Sequence, residues 1–145
     1  MRSQTSPRWR LFLDANILIS AAWKDGSKVA RIWSIPGIEL VTSNHVLNEC
    51  RRNLPREEHR LRLAKLLLDV RILEFSTIPV LENPPLLHEK DQHVLAAAVL
   101  SRADFLVTGD RAHFGQWFGT SVTGIRVEPP ARFPFVLEQH GENFK

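Results

Sequence analysis

The sequence predicts an α/β fold in which helices cover both faces of a central, mostly parallel sheet. Short apolar segments typical of buried strands alternate with segments whose apolar residues recur at helical spacing. Two of the strand-like segments run directly into an acid, in "RLFLDAN" and in "FLVTGD". With 145 residues, of which 43% are hydrophobic, one globular domain over residues 1–145 is the simplest expectation.

The first half of the chain predicts two strands and three helices. In order, they are a strand at 10–13, a helix at 16–23, a short helix at 29–34, a strand at 38–41 and a helix at 45–54. In the first helix, Ile17 and Ala21 fall on one apolar face. Ser43 or Asn44 is expected to cap the helix at 45–54, because both side chains accept hydrogen bonds from the free amides of a first turn. Pro55 is expected to end it.

The second half predicts two more helices and three more strands. They are a helix at 56–69, a strand at 71–75, a long helix at 86–103 and strands at 105–108 and 124–130. Pro79, Pro84 and Pro85 predict an irregular connection before the long helix, and the tail at 133–145 is expected to add one short helical turn. Five apolar residues in the predicted helix at 56–69 or directly after it are expected to face inward: Leu61, Leu63, Leu66, Leu67 and Val70.

Composition narrows the classes of function. The lone cysteine, Cys50, cannot form an internal disulfide and is expected to pack in the core, as in a protein of a reducing compartment. The N-terminus lacks the apolar segment of a signal peptide, and the longest apolar run, 94–100, is too short to span a bilayer. We therefore expect a soluble, cytoplasmic protein. Its formal net charge of +3 permits a nucleic-acid partner without requiring one.

Four acids occupy positions that a doubly wound sheet gathers along one edge. Asp14 and Asp110 follow predicted strands, while Glu49 and Asp91 lie early in predicted helices. In such sheets, ligands bind outside the carboxyl ends of the strands. We therefore expect the four carboxylates to converge.

Converging carboxylates repel one another, and burial adds to the cost of their charge. Such a cluster is expected to bind hard cations with oxygen ligands, Mg²⁺ or Mn²⁺, since histidine and cysteine are too sparse near these positions for a zinc set. Four acids carry a charge of −4, which one divalent ion reduces to −2 and two ions reduce to zero. A cluster of this kind is typical of phosphodiester hydrolysis, and the number of ions stays open.

These segments resemble a PIN-domain nuclease. The resemblance rests on "FLDANILISA" around Asp14, on Glu49 in the helix after the second strand, on "KDQHVLAAAVLSRADFLVTGD" from Lys90 to Asp110, and on the last strand with "PPARF". It covers residues 10–135. It implies a three-layer α/β/α sandwich around a twisted, mostly parallel sheet, and acids that bind Mg²⁺ or Mn²⁺ and hydrolyse RNA.

The resemblance also assigns the site residues and the partners. By position, the four family acids are Asp14, Glu49, Asp91 and Asp110, which would serve as catalytic residues and metal ligands. Asn16 and Thr108 match polar positions that help to orient the acids. Many small members similar to this chain are toxins of toxin–antitoxin pairs, held silent by a small antitoxin protein. A homodimer is also in keeping with the resemblance.

Several assignments stay open at the level of sequence. Glu39, Glu57 and Glu58 are alternatives to Glu49 as the second acid. Basic side chains near the acids are candidates for contacts with the RNA phosphates, and His113 and Trp117 are candidates for stacking a base. The basic candidates are Arg51, Arg52 and Arg111.

Two other functions remain as alternatives to a ribonuclease. One is a non-catalytic protein-interaction module that has kept the fold, against which the presence of all four acids argues. The other is a metal-dependent DNA nuclease, for which the chain has little room to add DNA-binding elements. A receiver-like phosphoacceptor domain fits less well, because Asp14 is followed by Ala15 and Asn16 rather than by a second acid.

Overall fold

The computed structural model describes residues 7–78, 81 and 88–132. In this part of the chain, helices pack around a six-stranded sheet with the strand order β3-β2-β1-β4-β6-β5. The strands are β1 Trp9–Leu13, β2 Ile38–Ser43, β3 Val70–Leu73, β4 Phe105–Val107, β5 Thr120–Val122 and β6 Ile125–Glu128. The helices are α1 Ala15–Trp23, α2 Asn44–Arg52, α3 Glu57–Leu67, α4 Glu89–Leu100 and α5 Arg111–Phe114, with 3₁₀ turns at Lys28–Ser34 and Gly115–Trp117.

The sheet is parallel except at one edge, as the sequence predicted. β1 pairs in parallel with β2 and β4, and β6 pairs in parallel with β4. β5 is antiparallel to β6 and was missed at the sequence level. Thr123 and Gly124 join the two strands with φ angles of 51° and 84°, the conformation of a tight hairpin turn in which glycine is favoured. The polar "TSV" before that turn has no strand-like apolar pattern, because it forms an edge strand with two exposed residues.

The core lies on both faces of β1 and β4. Leu11, Phe12 and Leu13 are completely buried, as are Leu106 and Val107. Strands buried on both faces read as continuous apolar runs, which explains why these two segments were recognisable in the sequence. The prediction of an α/β fold with helices on both faces is confirmed.

The buried face of α4 carries small side chains. Ala96, Ala97 and Ala98 are each at most 2% exposed, so the backbone of α4 approaches the sheet closely. Cys50 is also completely buried, as expected, and its Sγ contacts the carbonyl oxygen of Ala15 at 3.7 Å. Burial raises the pKa of this thiol to about 12, which makes it unreactive at neutral pH.

The inward face predicted for α3 was wrong in part. Leu63 is buried, but 62% of Leu61 is exposed. Residues two apart on a helix point about 200° away from each other, so Leu61 and Leu63 cannot both face the core. Val70 is buried at the start of β3 rather than on the helix. The segment predicted as a short helix at 29–34 forms a 3₁₀ turn.

The start of α2, the helix that carries Glu49, is set by its capping residue. The side chain of Ser43, not Asn44, caps α2 by accepting a hydrogen bond from the amide of Val46 at 3.2 Å. α2 ends at Arg52, before Pro55.

The helical turn predicted in the tail at 133–145 lies outside the described residues. In the described part of the chain, no helix is long and apolar enough to cross a membrane.

The strand order creates a crevice beside β1. From β1 the chain moves to β2 and β3 on one side and later returns to β4 and β6 on the other. The carboxyl ends of β1 and β4 are neighbours, with Leu13 opposite Val107. Ligand sites of open α/β sheets lie at such a reversal of strand order.

Candidate active site

Asp14 follows β1 and is held by three hydrogen bonds. Its Oδ1 accepts from the backbone amide of Ala15 at 2.8 Å, so that Asp14 caps α1. Its Oδ2 accepts from the hydroxyl of Thr108 at 2.8 Å and from Nδ2 of Asn16 at 3.2 Å. Only 5% of Asp14 is exposed, and these contacts fix its carboxylate relative to the ends of both central strands.

Asn16 and Thr108 extend this network to the segment after β4. Nδ2 of Asn16 also donates to Oγ1 of Thr108, and its Oδ1 accepts from the amide of Gly109 at 2.7 Å. A Cβ at Gly109 would lie 3.3 Å from that oxygen, so glycine allows the close approach. Thr108 Oγ1 accepts in turn from the amide of Asp110 at 3.2 Å. Asn16 and Thr108 thus link Asp14 to the segment that carries Asp110.

Asp91 and Asp110 meet at the side chain of His113. Nδ1 of His113 lies 2.8 Å from Oδ2 of Asp91 and 2.9 Å from Oδ2 of Asp110. One ligand atom from each of the three residues fits within a group whose members are all within 4.8 Å of one another. Asp110 also caps α5, with its Oδ1 accepting from the backbone amide of His113 at 3.1 Å.

Glu49 lines the same cleft as this group and forms an ion pair with Lys90. The other candidates for the second acid lie elsewhere. Glu39 forms ion pairs with Arg10 and Arg71, and Glu57 and Glu58 are exposed on α3. Of the four candidates for the second acid, Glu49 is therefore the one that lies in the cleft.

All four acids line one cleft of about 250 Å³, which also includes Asn16, Lys90 and His113. They do not form a single contact group, however. Asp14 is bonded to protein donors, Glu49 is paired with Lys90, and Asp91 and Asp110 share His113. The cleft thus has two parts: carboxylates already satisfied by protein groups, and a pair of carboxylates whose shared contact is one imidazole.

The electrostatics of the cleft disfavour negative charge on its buried acids. Desolvation raises the pKa of Asp14, against the lowering effect of its hydrogen bonds from Thr108 and Ala15. Desolvation also raises the pKa of Asp91, and the charge of Asp110 adds to the rise while His113 opposes it. A cation in the cleft would offset both causes.

The donor set fits a divalent cation. Asp91 is 4% exposed, and its Oδ2 has no hydrogen-bond partner among the described residues. The contact of this oxygen with Nδ1 of His113, at 2.8 Å, is shared with Asp110. Because buried polar atoms are nearly always satisfied, this carboxylate oxygen is a candidate for a further ligand. Oxygen donors on several carboxylates are what Mg²⁺ and Mn²⁺ prefer.

His113 was named in the sequence analysis only as a candidate for stacking a base. The structure places its imidazole on α5, against Asp91 and Asp110. Because α5 forms directly after Asp110, residues 110 and 113 lie one turn apart and their side chains meet. The spacing Asp-x-x-His was the available signal, but only a helix in this segment gives it meaning.

A larger groove of about 580 Å³ adjoins the cleft and shares Glu49, Lys90 and Val94 with it. Its walls include Arg52 and His93, together with polar groups of α2 and of the segment after β3. Arg52 thus lies where a candidate phosphate-binding residue should lie. Arg51, on the same helix, is exposed and is not among the residues that line the groove. Arg111 is exposed at the start of α5.

Comparison with known proteins agrees with this architecture. A profile of the PIN domain matches residues 10–112. One similar solved structure is VapBC2 from Rickettsia felis bound to a DNA fragment from their promoter. It is 17% identical, with a TM-score of 0.60, and the alignment covers 83% of this chain and 98% of that chain. At this identity the likeness shows a shared fold.

No curated protein matched the chain in sequence. The profile nevertheless spans most of the chain, from β1 to the start of α5. It includes the four acids, Asn16 and Thr108. The chain belongs to the PIN domain family, a family of nucleases.

Proposed function

We propose that the protein is a metal-dependent endoribonuclease that hydrolyses RNA phosphodiester bonds. The observation that carries the proposal is the convergence of Asp14, Glu49, Asp91 and Asp110 on one cleft, with a buried oxygen of Asp91 left without a hydrogen bond. A purely structural cluster would be expected to satisfy or neutralise its buried carboxylates within the protein.

The four acids would hold one or two ions of Mg²⁺ or Mn²⁺. When bound, such an ion polarises the scissile phosphate and lowers the pKa of an attacking water. Thr108 and Asn16 keep Asp14 oriented by donating to its Oδ2. Lys90 offsets the charge of Glu49, and its exposed side chain would also contact a phosphate of the RNA.

RNA is the preferred substrate because the adjoining groove suits a single strand. The groove contacts the catalytic cleft through Glu49 and Lys90, and Arg52 and His93 line it. Basic groups of this kind bind phosphates and set the path of a strand without reading its sequence. Among the described residues that line the groove, none belongs to an element that would enclose a duplex.

The proposal extends to a role as the toxin of a toxin–antitoxin pair in the cytoplasm. It is supported by membership of the PIN domain family and by the shared fold with VapBC2. Apolar surface for a protein partner is present on the packed pair α1 and α3, where Trp23 is 49% exposed and Leu61 62% exposed. We assign this surface to an antitoxin; a homodimer stays a prediction.

We expect the purified chain to cleave a labelled single-stranded RNA pool in the presence of Mn²⁺ and to be inactive in EDTA. Asp110→Asn should lower the rate by about a hundredfold or more, since it removes a charge that positions the reacting groups. Asp104→Asn is the matched control, because Asp104 contacts Arg10 at the opposite edge of the sheet. Equal cleavage of DNA of the same sequence would contradict the RNA assignment, and equal rates for Asp110→Asn and wild type would contradict the site.

We expect Arg52→Ala to weaken binding of single-stranded RNA, because Arg52 lines the groove beside the cleft. Measured in an Asp110→Asn background, the slope of log K against log salt should fall by about 0.7, the value for one phosphate contact on a single strand. Arg51→Ala is the control on the same helix and should change the slope less. An equal effect of both variants would place the RNA elsewhere.

We expect Asp91→Asn to raise the melting temperature of the metal-free protein, against the usual loss of about 1 kcal/mol for a point substitution. Burial raises the pKa of Asp91 in the folded protein above its ordinary value, so the folded state binds more protons at this carboxyl than the unfolded state does. The free energy of unfolding therefore falls as pH rises from the ordinary pKa through the raised pKa. Asparagine removes this loss. Thermal melts at neutral pH in EDTA should show the rise, and added Mn²⁺ should stabilise wild type more than the variant.

Glu89→Gln is the control for this measurement, because Glu89 is exposed and lies two residues before Asp91 in the same helix. Its melting temperature should match that of wild type with and without metal. A lower melting temperature for Asp91→Asn in EDTA would mean that the ionised carboxylate stabilises the fold and that the charge in the cleft is structural.

We expect induced expression in a bacterial host to arrest growth, since cleavage of cellular RNA stops protein synthesis. Asp110→Asn should relieve the arrest at equal protein level, and Asp104→Asn should not. Growth curves with matched immunoblots make the measurement. Normal growth with active wild-type enzyme would contradict the role as a toxin while leaving the nuclease assignment in place.

A further inference from the structure

The contact between His113 and two acids leaves one oxygen without a proper partner. An imidazole Nδ1 offers either one hydrogen or one lone pair in the plane of the ring. Two carboxylate oxygens lie against it, at 2.8 Å from Asp91 and 2.9 Å from Asp110. When Nδ1 carries a hydrogen, that hydrogen bonds to Oδ2 of Asp110, and the buried Oδ2 of Asp91 accepts no hydrogen bond from the described residues.

We propose that Nδ1 of His113 is a metal ligand together with Asp91 and Asp110, and that this nitrogen makes the site prefer Mn²⁺ and Co²⁺ over Mg²⁺. The inference rests on the proposed function, which requires a divalent ion in the cleft, and goes beyond it by naming a ligand outside the four acids and the metal preference that follows.

The separations of the three atoms suit a single ion. Adjacent ligands of an octahedral ion at about 2.1 Å lie about 3 Å apart. The two distances from Nδ1 are already close to that value, and one ligand atom of each of the three residues lies within 4.8 Å of the other two. An ion placed among them would give Oδ2 of Asp91 the partner that the imidazole does not provide.

The position of the imidazole is set by its surroundings. Asp110 caps α5 by accepting from the backbone amide of His113, so the two ligands move as one unit. The ring of His88 packs against the ring of His113 with centroids 4.8 Å apart. His88 immediately precedes α4, the helix that carries Asp91. The same two helix starts therefore supply all three ligands and the group that limits rotation of the imidazole.

The chemistry of the donor set decides the metal. Carboxylates suit Mg²⁺ and Mn²⁺ alike, whereas imidazole favours transition metals, with affinity increasing from Mn²⁺ to Co²⁺. Mg²⁺ gains little from a nitrogen ligand and keeps its waters more firmly. A site with one nitrogen among its oxygen ligands should therefore bind Mn²⁺ and Co²⁺ more tightly than Mg²⁺, a preference that four carboxylates alone would not give.

The test is the electron spin echo of Mn²⁺ bound to the full-length protein, with no RNA present. We expect a nitrogen-14 coupling from a directly bound imidazole in wild type and in His93→Gln, and none in His113→Gln. His93 is an exposed histidine on α4 that lines the neighbouring groove, so its variant controls for loss of an imidazole near the site. The wild-type spectrum is informative even if a variant folds poorly, and circular dichroism checks the fold of each protein.

The second readout is affinity, from calorimetric titration with Mn²⁺, Co²⁺ and Mg²⁺. We expect His113→Gln to weaken Mn²⁺ and Co²⁺ by about tenfold or more, the scale on which metal sites respond to loss of a supporting group. The affinity for Mg²⁺ should not fall, so the ratio between metals should narrow.

Bound Mn²⁺ without nitrogen coupling, or an unchanged ratio of affinities in His113→Gln, would overturn the assignment of His113 and leave the nuclease proposal standing. Failure of wild type to bind Mn²⁺ would overturn the assignment of His113 and the metal preference. The nuclease proposal would fall only if RNA cleavage were also absent with Mg²⁺ and Co²⁺.

Discussion

The structure depends on one constraint, the placement of several carboxylates in a partly buried crevice where they repel one another. The crevice exists because β1 and β4 are neighbours and both end at the same edge of the sheet. Asp14 is 5% exposed and Asp91 4% exposed, so neither charge is well solvated. The hydrogen bonds from Thr108 and Ala15 to Asp14, and the contact of His113 with Asp91, favour the charged carboxylates against the effect of burial.

The protein deals with the two halves of the cleft differently. Asp14 is tied to Thr108, Asn16 and the start of α1, so that its orientation is set by neutral donors that hold it whatever else is bound. Asp91 and Asp110 share His113 instead. The first arrangement positions a carboxylate, and the second leaves oxygen atoms for a ligand. A cation would therefore add most at the second half of the cleft.

The proposed function places the RNA in the groove beside the cleft. Lys90 belongs to both spaces, pairing with Glu49 while it lies at the border of the groove lined by Arg52. A polyanion entering the groove would compete with Glu49 for Lys90. Under that proposal, RNA binding and the charge of the acidic cleft would be coupled through the exposed side chain of Lys90.

Local patterning and the geometry of parallel sheets were enough to predict the alternation of strands and helices, the buried runs of β1 and β4 and the acids at their ends. Asn16 and Thr108 were singled out by the resemblance to the PIN domain and not by these patterns. Other features depend on which faces of the helices and strands pack together, and they became visible only in the folded structure. They are the position of Glu49 in the cleft, the ion pairs of Glu39 with arginines, the exposure of Leu61, the edge strand β5 and the contact of His113 with Asp91. The physical reason is that a side chain's partners across the fold depend on packing between elements distant in sequence, which no local pattern encodes.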